Sequence, residues 1–238
     1  QKIATALNCD YKEVVFTGSA TEANNLVLRG LNYYQSDRFG SNKQKPKIIT
    51  SVVEHESILE TCKDLERQGL CEVAYMPVDK NGIISVQKLK NLIDKRTVLI
   101  SIMYANNQIG TVQPIVEIGK IIKEFRGDKN YPLFHTDAVQ ALQYLQCDVK
   151  ELGVDFLTLS AHKIYGPKGI VVLYVKNDST LQSVITGGGQ ERGFRSGTEN
   201  VPGIVGFAKA VELADKTREK ESKRLAGLQE YFLKQVKK

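Results

Sequence analysis

Seven short runs of apolar, β-branched residues, separated by stretches with helical spacing, are the feature that most constrains how this chain can fold. The runs are almost continuously apolar, as expected for strands that are covered on both faces of a sheet. Alternation of such strands with helices predicts an α/β fold, with three α/β/α layers around a mostly parallel central sheet of about seven strands. The predicted strands are residues 13–17, 47–53, 72–78, 97–103, 132–136, 155–160 and 169–175.

The segments between these runs have the spacing and start signals of helices. Ser85 is suited to cap the third of them, and Pro114 is suited to the first helical position of the fourth. The predicted helices cover residues 21–34, 56–68, 85–94 and 114–125.

From about Glu199 onward, the pattern is helical without further strands. We therefore expect a large ligand-binding domain over residues 1–200 and a long helix over residues 201–238 that leads to a smaller C-terminal domain. Because the chain begins inside a helical pattern at Gln1, we interpret it as part of a longer protein that also has a preceding segment.

Composition narrows the function classes. The four cysteines form no CxxC pair and no Cys/His cluster with zinc spacing, so we predict no metal site and a reducing, cytoplasmic environment. Residues 215–238 hold eight Lys/Arg against four Asp/Glu, and they supply most of the net charge of +6. That pattern predicts a solvated helix face rather than nucleic-acid binding. No run approaches the roughly 18 to 20 apolar residues that span a bilayer, so we predict no membrane interaction.

Polar motifs follow three of the predicted strands, where ligands bind in sheets of this kind. GSATEANN at 18–25 opens a helix, and its small residues and Thr21 fit either a phosphate site or a plain helix cap. His55 follows the second strand, as a structural or a functional residue. The amides of ANNQIG at 105–110 follow the fourth strand, as turn residues or as donors to a polar ligand.

Two ionisable residues follow the fifth and sixth strands. Asp137 comes directly after an apolar run, so its carboxylate needs a partner, either a protonated ligand nitrogen or a buried Arg or Lys. Lys163 lies in SAHKIYGPKG beside His162, where a desolvated amine with a lowered pKa would suit Schiff-base chemistry. The alternative for Lys163 is an ordinary solvent-facing lysine.

These strand-end residues together match the needs of one ligand, pyridoxal 5′-phosphate (PLP). PLP requires a phosphate site, a side chain stacked on its ring, an acid beside its pyridine nitrogen and a lysine that bonds its aldehyde. Thr21, His55, Asp137 and Lys163 fit those needs in that order.

The motifs that carry these residues also resemble a known family. GSATEANN, VEHES, NNQIGTVQPI, HTDAVQ, SAHKIYGPKG and GGGQERGFRSGTEN are similar, over essentially the whole chain, to cysteine desulfurases of the NifS/IscS kind. These are class-V aminotransferase-like PLP enzymes of fold type I. RSGT at 195–198 is similar to the NifS/IscS branch and unlike the SufS-like branch.

The resemblance implies a role for each matching position. Lys163 forms the Schiff base with PLP, and His55 stacks on the ring and serves as a catalytic acid–base group. Asn107 lies near the substrate carboxylate and the ring hydroxyl, Asp137 pairs with the ring nitrogen, and Gln140 bonds the 3′-oxygen. The implied phosphate contacts are Ala20, Thr21, Ser160, His162 and, toward a neighbouring subunit, Thr198.

The resemblance further implies conversion of L-cysteine to L-alanine, with the sulfur passed to an enzyme cysteine as a persulfide and then to a scaffold or acceptor protein for iron–sulfur cluster assembly. It implies a homodimer with shared sites. The family's persulfide cysteine and carboxylate-binding arginine would fall after Lys238, so we expect this chain alone to be inactive. The alternatives are another class-V PLP enzyme, such as an aminotransferase or a selenocysteine lyase, and a non-catalytic scaffold.

Overall fold

A seven-stranded sheet with helices on both faces forms the molecule, as the sequence predicts. The structure is a computed structural model that describes residues 1–31, 44–177, 179 and 181–236. The strands are β1 (Val14–Thr17), β2 (Lys47–Ser51), β3 (Glu72–Met76), β4 (Thr97–Ser101), β5 (Leu133–Asp137), β6 (Phe156–Ser160) and β7 (Val171–Val175). The helices are α1 (Lys2–Leu7), α2 (Ala20–Gly30), α3 (Glu56–Arg67), α4 (Val86–Leu92), α5 (Ile115–Arg126), α6 (Val149–Leu152) and α7 (Val201–Val236).

The strand order is β1-β7-β6-β5-β4-β2-β3. Strands β3, β2, β4, β5 and β6 pair in parallel, whereas β7 is antiparallel to both β6 and β1. Strand β1 therefore points in the same direction as β6. Because of this topology, the carboxyl ends of β1, β2, β4, β5 and β6 lie along one edge of the sheet, which is why their loops converge.

Two layers of helices cover the sheet. Apolar side chains of α2 and α3, such as Leu26 and Ile58, pack on one face together with Leu99 and Phe156. The other helices pack on the opposite face, where Phe134 lies in the larger core cluster. Because helices cover both faces, the strands carry apolar residues toward both of them.

The helix boundaries largely agree with the prediction. Ser85 caps α4, since its side chain accepts a hydrogen bond from the backbone N–H of Lys88. Pro114 was predicted at the first helical position, but it is the cap residue of α5 itself, with α5 beginning at Ile115. The first predicted helix ends earlier than expected, at Gly30, and its residues 32–34 lie outside the described residues.

Helix α7 packs on the domain mainly through its first half. Phe207, Ala210 and Ala214 are buried, and Arg218 donates to the carbonyl oxygen of Leu142. Beyond Arg218 the side chains are exposed or half-buried. The division into a domain over residues 1–200 and a helix over 201–238 stays a prediction. No helix among the described residues is both long enough and apolar enough to cross a membrane.

Candidate active site

The sheet face under α2 and α3 changes from apolar to polar toward the carboxyl ends of the strands. Its first half carries apolar residues such as Leu133 and Phe156. Its second half carries buried polar residues, and six of them, on β2, β4, β5 and β6, we call the polar edge. They are Thr50, Ser101, His135, Asp137, Thr158 and Ser160.

His135 ties three strands of the polar edge together. Its Nδ1 lies 2.8 Å from the hydroxyl of Ser101 on β4, and its Nε2 lies 3.1 Å from the hydroxyl of Thr158 on β6. Burial lowers the pKa of His135 to about 3, so the ring is neutral near pH 7. One ring nitrogen then donates and the other accepts, and both hydroxyls can complement that pattern.

Asp137 ends β5 two residues beyond His135 on the same face. The sequence placed it just after the strand, whereas it is the last strand residue. Its carboxylate is buried and accepts hydrogen bonds from Asn24 Nδ2 at 2.9 Å and from the backbone N–H of Val139 at 3.0 Å. Both donors are neutral. Burial raises the pKa of Asp137 and outweighs these two hydrogen bonds, so a cation placed beside this carboxylate would be strongly favoured.

Asn24 and Ser57 connect Asp137 to His55, and the sequence analysis missed both. Asn24 is fully buried on α2 and also donates to Ser57 Oγ at 2.8 Å. Ser57 Oγ lies 2.9 Å from Nδ1 of His55. Asn24 belongs to the GSATEANN motif that was singled out, but only the packing of α2 against α3 shows which asparagine faces the sheet.

His55 is both a helix cap and an exposed ring at the mouth of the site. It is the cap residue of α3, and its Nδ1 accepts from the backbone N–H of Ser57 at 3.1 Å. The ring itself is exposed. The two alternatives for His55 are thus compatible, because one nitrogen serves the helix while the ring face remains free for a ligand.

The start of α2 provides the features expected of a phosphate site. Ser19 caps the helix by accepting from the backbone N–H of Glu22 at 3.0 Å. The N–H groups of Ala20 and Thr21 belong to the first turn, where no preceding carbonyl can accept them. Thr21 is exposed beside them, so its hydroxyl is accessible to an anion.

Ser160 and His162 lie where β6 leads into the turn that carries Lys163. The buried hydroxyl of Ser160 is 2.9 Å from Nδ1 of His162. Burial first, and then the positive charges of Lys163 and Lys168, lower the pKa of His162. These neighbouring positive charges show that the turn is a favourable place for an anionic group.

Lys163 differs from its prediction in one respect. It occupies a 3₁₀ turn over Ala161–Ile164, immediately beyond the end of β6, as the strand-end argument requires. Its side chain is exposed rather than desolvated. The reason is geometric: the turn carries Lys163 past the rim of the sheet, and the buried residues of the turn are Ala161 and Ile164.

The two asparagines that follow β4 differ, and each of them matches one of the two predicted roles. Asn106 is the turn residue: its Oδ1 accepts from the backbone N–H groups of Gln108 and Ile109, and its Nδ2 donates to the carbonyl of Val53 at 2.8 Å. Asn107 is exposed beside it and is the amide that a ligand can reach. Gln140 is half-buried three residues after Asp137.

The segment that contains Thr198 packs against the end of β1. Arg195 donates to the carboxylate of Glu22 at 2.8 Å, and Glu22 also accepts from the backbone N–H of Gly18 at 2.9 Å. Thr198 is exposed and lines a small cavity of about 80 Å³ together with Thr17. The Glu22–Arg195 pair, which the sequence analysis missed, holds this segment close to the start of α2.

Glu54 is a further buried acid, next to His55 in sequence. Its Oε1 accepts from the hydroxyl of Ser51 at 2.5 Å and from the backbone N–H of Met103 at 3.0 Å. Its Oε2 has no hydrogen-bond partner among the described residues. Burial raises the pKa of Glu54 to about 8, so this side chain holds a proton over much of the neutral range.

None of the four cysteines has the environment of a reactive thiolate. Cys62, Cys71 and Cys147 are buried, Cys9 is half-buried, and all four are free thiols. Burial raises the pKa of Cys9, Cys71 and Cys147 to about 12 each, and raises that of Cys62 as well. A nucleophilic cysteine requires a lowered pKa, so these thiols are structural.

Comparison with protein families gives one match that covers the chain. The family model described as Aminotransferase class-V matches residues 1–238. Among curated proteins, the chain is 46% identical over 229 residues to a protein named Cysteine desulfurase IscS from Clostridium botulinum, covering 96% of this chain and 54% of that protein. It is 44% identical to a mitosomal cysteine desulfurase of Encephalitozoon cuniculi, covering 100% of this chain and 53% of that protein.

Solved structures of related proteins also superpose on this chain. A NifS-like protein superposes with a TM-score of 0.89 at 39% identity, covering 99% of this chain and 62% of that one. A structure described as SspA in complex with cysteine superposes with a TM-score of 0.80 at 43% identity, covering 89% of this chain and 58% of that one. The chain spans about half the length of the curated relatives that it matches.

Proposed function

The chain belongs to the aminotransferase class-V family, and from that premise we propose that the full-length protein is a PLP-dependent cysteine desulfurase. The proposed reaction converts L-cysteine to L-alanine and transfers the sulfur to a cysteine thiolate of the protein as a persulfide. The observation that carries the proposal is the arrangement at the carboxyl ends of β1, β2, β5 and β6. A first-turn hydroxyl, an exposed imidazole, a buried carboxylate and a lysine all lie along that edge.

The residues present fit PLP. Asp137 is the most informative of them, because its buried carboxylate has neutral donors only, and a protonated pyridine nitrogen would supply the positive charge that it lacks. At the other end of the ligand, the first turn of α2 and the turn after β6 would hold the phosphate. The proposed phosphate contacts are Ala20, Thr21, Ser160, His162 and, toward a second subunit, Thr198.

PLP, when bound, supplies an electron-withdrawing ring that makes the Cα proton of an amino acid removable. Asp137 keeps that ring protonated. Lys163 would hold the cofactor through its amine, and the same amine, when free, would move the Cα proton. His55 stacks on the ring and moves a proton at the substrate thiol, while Asn107 and Gln140 orient the substrate carboxylate and the ring oxygen.

The sulfur acceptor in this reaction is a thiolate that attacks the substrate sulfur. The sulfur–sulfur bond forms as the carbon–sulfur bond breaks. The electron pair of that bond returns to the substrate carbon, which takes up a proton and becomes the methyl group of alanine. The raised pKa values of the four cysteines argue that none of them is this thiolate. We therefore propose that a cysteine elsewhere in the full-length protein receives the sulfur.

We further propose that the protein acts as a homodimer with shared sites in a cytoplasmic setting, and that it delivers sulfur to a scaffold or acceptor protein for iron–sulfur cluster assembly. The names of the curated relatives support the substrate and the reaction, and the exposure of Thr198 on the chain's own surface is compatible with a contact to a second subunit.

Alanine release from L-cysteine by the full-length protein, with and without a thiol reductant, tests the proposal. We expect stoichiometric alanine without reductant and repeated turnover with it, because the reductant regenerates the acceptor thiol. If the protein instead transferred the amino group to an oxo-acid acceptor and released no sulfide, it would be an aminotransferase. Preference for selenocysteine over cysteine would identify a selenocysteine lyase. If the protein turned over none of these substrates, the non-catalytic scaffold would be the remaining alternative.

A further inference from the structure

Two side chains, Asn24 and Ser57, connect the acid of the candidate site to its exposed imidazole. Asn24 donates both hydrogens of its amide, one to Asp137 Oδ2 at 2.9 Å and one to Ser57 Oγ at 2.8 Å. Ser57 Oγ in turn lies 2.9 Å from Nδ1 of His55. Asn24 and Ser57 are both buried, so water does not compete at these contacts.

The orientation of Asn24 follows from its acceptors. An ionised carboxylate accepts hydrogen bonds and donates none, so the NH₂ group rather than the oxygen of the amide must face Asp137. The same nitrogen then donates to Ser57 Oγ. Because Ser57 Oγ accepts from Asn24, its own hydrogen is available to His55.

Nδ1 of His55 is therefore an acceptor from two donors. The hydroxyl of Ser57 lies on one side, and the backbone N–H of Ser57 donates to the same nitrogen at 3.1 Å. A hydrogen on Nδ1 would face the backbone N–H directly. The ring hydrogen of the neutral imidazole is left on Nε2, on the exposed side of the ring.

This arrangement leaves the amide oxygen of Asn24 without a hydrogen bond. Oδ1 is buried and has no hydrogen-bond partner among the described residues. Buried polar atoms are nearly always satisfied in folded proteins, and an exception marks a residue whose position serves another purpose. Here the amide gives up its acceptor so that both hydrogens reach two separate functional groups.

We propose that Asn24 is a positioning residue that links the Asp137 carboxylate to the His55 imidazole through Ser57, and so keeps Nδ1 of His55 an acceptor and the ring hydrogen on Nε2. This inference deepens the proposed function and rests on it for its purpose. Asn24 then fixes the positions of the Asp137 carboxylate and the His55 imidazole relative to each other. Nε2 is the atom of His55 that donates a proton toward the substrate.

The imidazole nitrogen signals of the cofactor-free, full-length protein test the proposal by long-range ¹H–¹⁵N correlation NMR. Replacing His55 by Gln identifies its signals, because they are the ones that disappear from the spectrum. We expect His55 to show an unprotonated Nδ1 and a protonated Nε2. We expect Asn24→Leu and Ser57→Ala each to shift the Nδ1 signal, and the double variant to shift it no further than the larger single change.

Asn25→Ala is the matched control, because Asn25 is the neighbouring asparagine on α2 and bonds only within its own helix, to Thr21 and Arg29. It should leave the His55 signals unchanged. Asn24→Leu should also weaken PLP binding by about tenfold or more, since it removes a hydrogen bond to a buried charge, whereas Asn25→Ala should change it less than about twofold.

A ring hydrogen on Nδ1 in the unmodified protein would overturn the proposal, and so would an unchanged Nδ1 signal in Ser57→Ala. Ser57→Ala removes one oxygen only, so it decides the matter even where Asn24→Leu does not fold. Because the NMR measurement needs no cofactor, its failure is separate from a failure of the protein to bind PLP or to release alanine.

Discussion

The two faces of the sheet differ in how they use the same strands. Toward α5 and α7, positions such as Ile100, Phe134 and Leu159 are apolar and fully or almost fully buried. Toward α2 and α3, the positions next to them in sequence are Ser101, His135 and Ser160, which belong to the polar edge. Side chains alternate between faces along a strand, so one strand supplies core on one side and chemistry on the other.

This difference has a thermodynamic consequence. Apolar burial on the first face stabilises the fold. Buried acids at the polar edge and in the loops beyond it, such as Asp137 and Glu54, offset part of that stability, and burial raises their pKa values. Substitutions on the apolar face should therefore lower the free energy of unfolding, and substitutions at the polar edge and the loops beyond it should lower activity first. Four predictions follow this division, from the largest effect to the smallest.

Replacing Lys163 by Ala should reduce alanine release by the full-length protein by at least about 10³-fold, because the amine that holds the cofactor and moves the Cα proton is lost. The thermal midpoint should change little, since the side chain is exposed. Lys168→Ala, five residues away on the same loop, is the control and should keep most of the activity. Comparable losses in both variants would mean that the loop, rather than Lys163, carries the effect.

Replacing Phe134 by Ala should lower the free energy of unfolding by about 3 to 5 kcal/mol, because Phe134 is fully buried on the apolar face and its removal leaves a cavity. Urea unfolding followed by circular dichroism measures the loss. Asp137→Asn, three residues along the same strand, is the contrasting variant. It should abolish activity while costing less stability than Phe134→Ala, and the reverse order would break the division between the two faces.

The free energy of unfolding should depend on pH through the raised pKa of Glu54. Burial raises its pKa from 4.5 in the unfolded chain to about 8, so the folded state binds this proton more tightly. The resulting stability is fully present below about pH 4.5 and is lost as the pH rises toward about 8. Relative to the unmodified protein, Glu54→Gln should gain on the order of a few kcal/mol over that interval.

Urea unfolding at several pH values measures the Glu54 effect, and Glu56→Gln, on the exposed neighbouring residue, serves as its control. The control should keep a constant difference from the unmodified protein throughout. A constant difference in Glu54→Gln as well would show that the side chain is ionised in the folded state.

Replacing Ser101 by Ala should lower the free energy of unfolding by about 1 to 2 kcal/mol, because Nδ1 of His135 then loses its partner inside the fold. The activity should fall only modestly, since the side chains that His135 contacts, Ser101 and Thr158, are not among the proposed cofactor contacts. The same measurement on Thr50→Val, which removes a hydroxyl bonded to the backbone carbonyl of Ser101, gives the matched comparison. If Ser101→Ala lost most of its activity while its free energy of unfolding fell only by about 1 to 2 kcal/mol, His135 would act closer to the reacting atoms.

The two faces were not equally predictable from the sequence. All seven strands could be predicted, because their residues form short apolar runs, and β2, β4, β5, β6 and β7 are buried along their whole length. Asp137, Lys163 and His55 could be found because they lie at the ends of strands or just beyond them. Asn24 and Ser57 could not, because their importance depends on a contact between α2 and α3 that no local pattern encodes.

The exposure of Lys163 shows a different limit. Position after a strand predicts where a residue lies in a parallel sheet, but the accessibility of its side chain depends on the turn that follows. The left-handed conformation of Tyr165 ends the 3₁₀ turn that carries Lys163 past the rim. Nothing in SAHKIYGPKG, considered alone, distinguishes that geometry from a buried one.

The central claim is that the polar edge and its loops bind PLP through Lys163. Incubating the full-length protein with PLP, reducing it with borohydride and mapping the modified peptide by mass spectrometry tests this claim most directly. We expect one cofactor per chain, attached at Lys163. Attachment at Lys168, a spread over surface lysines or no attachment at all would contradict it.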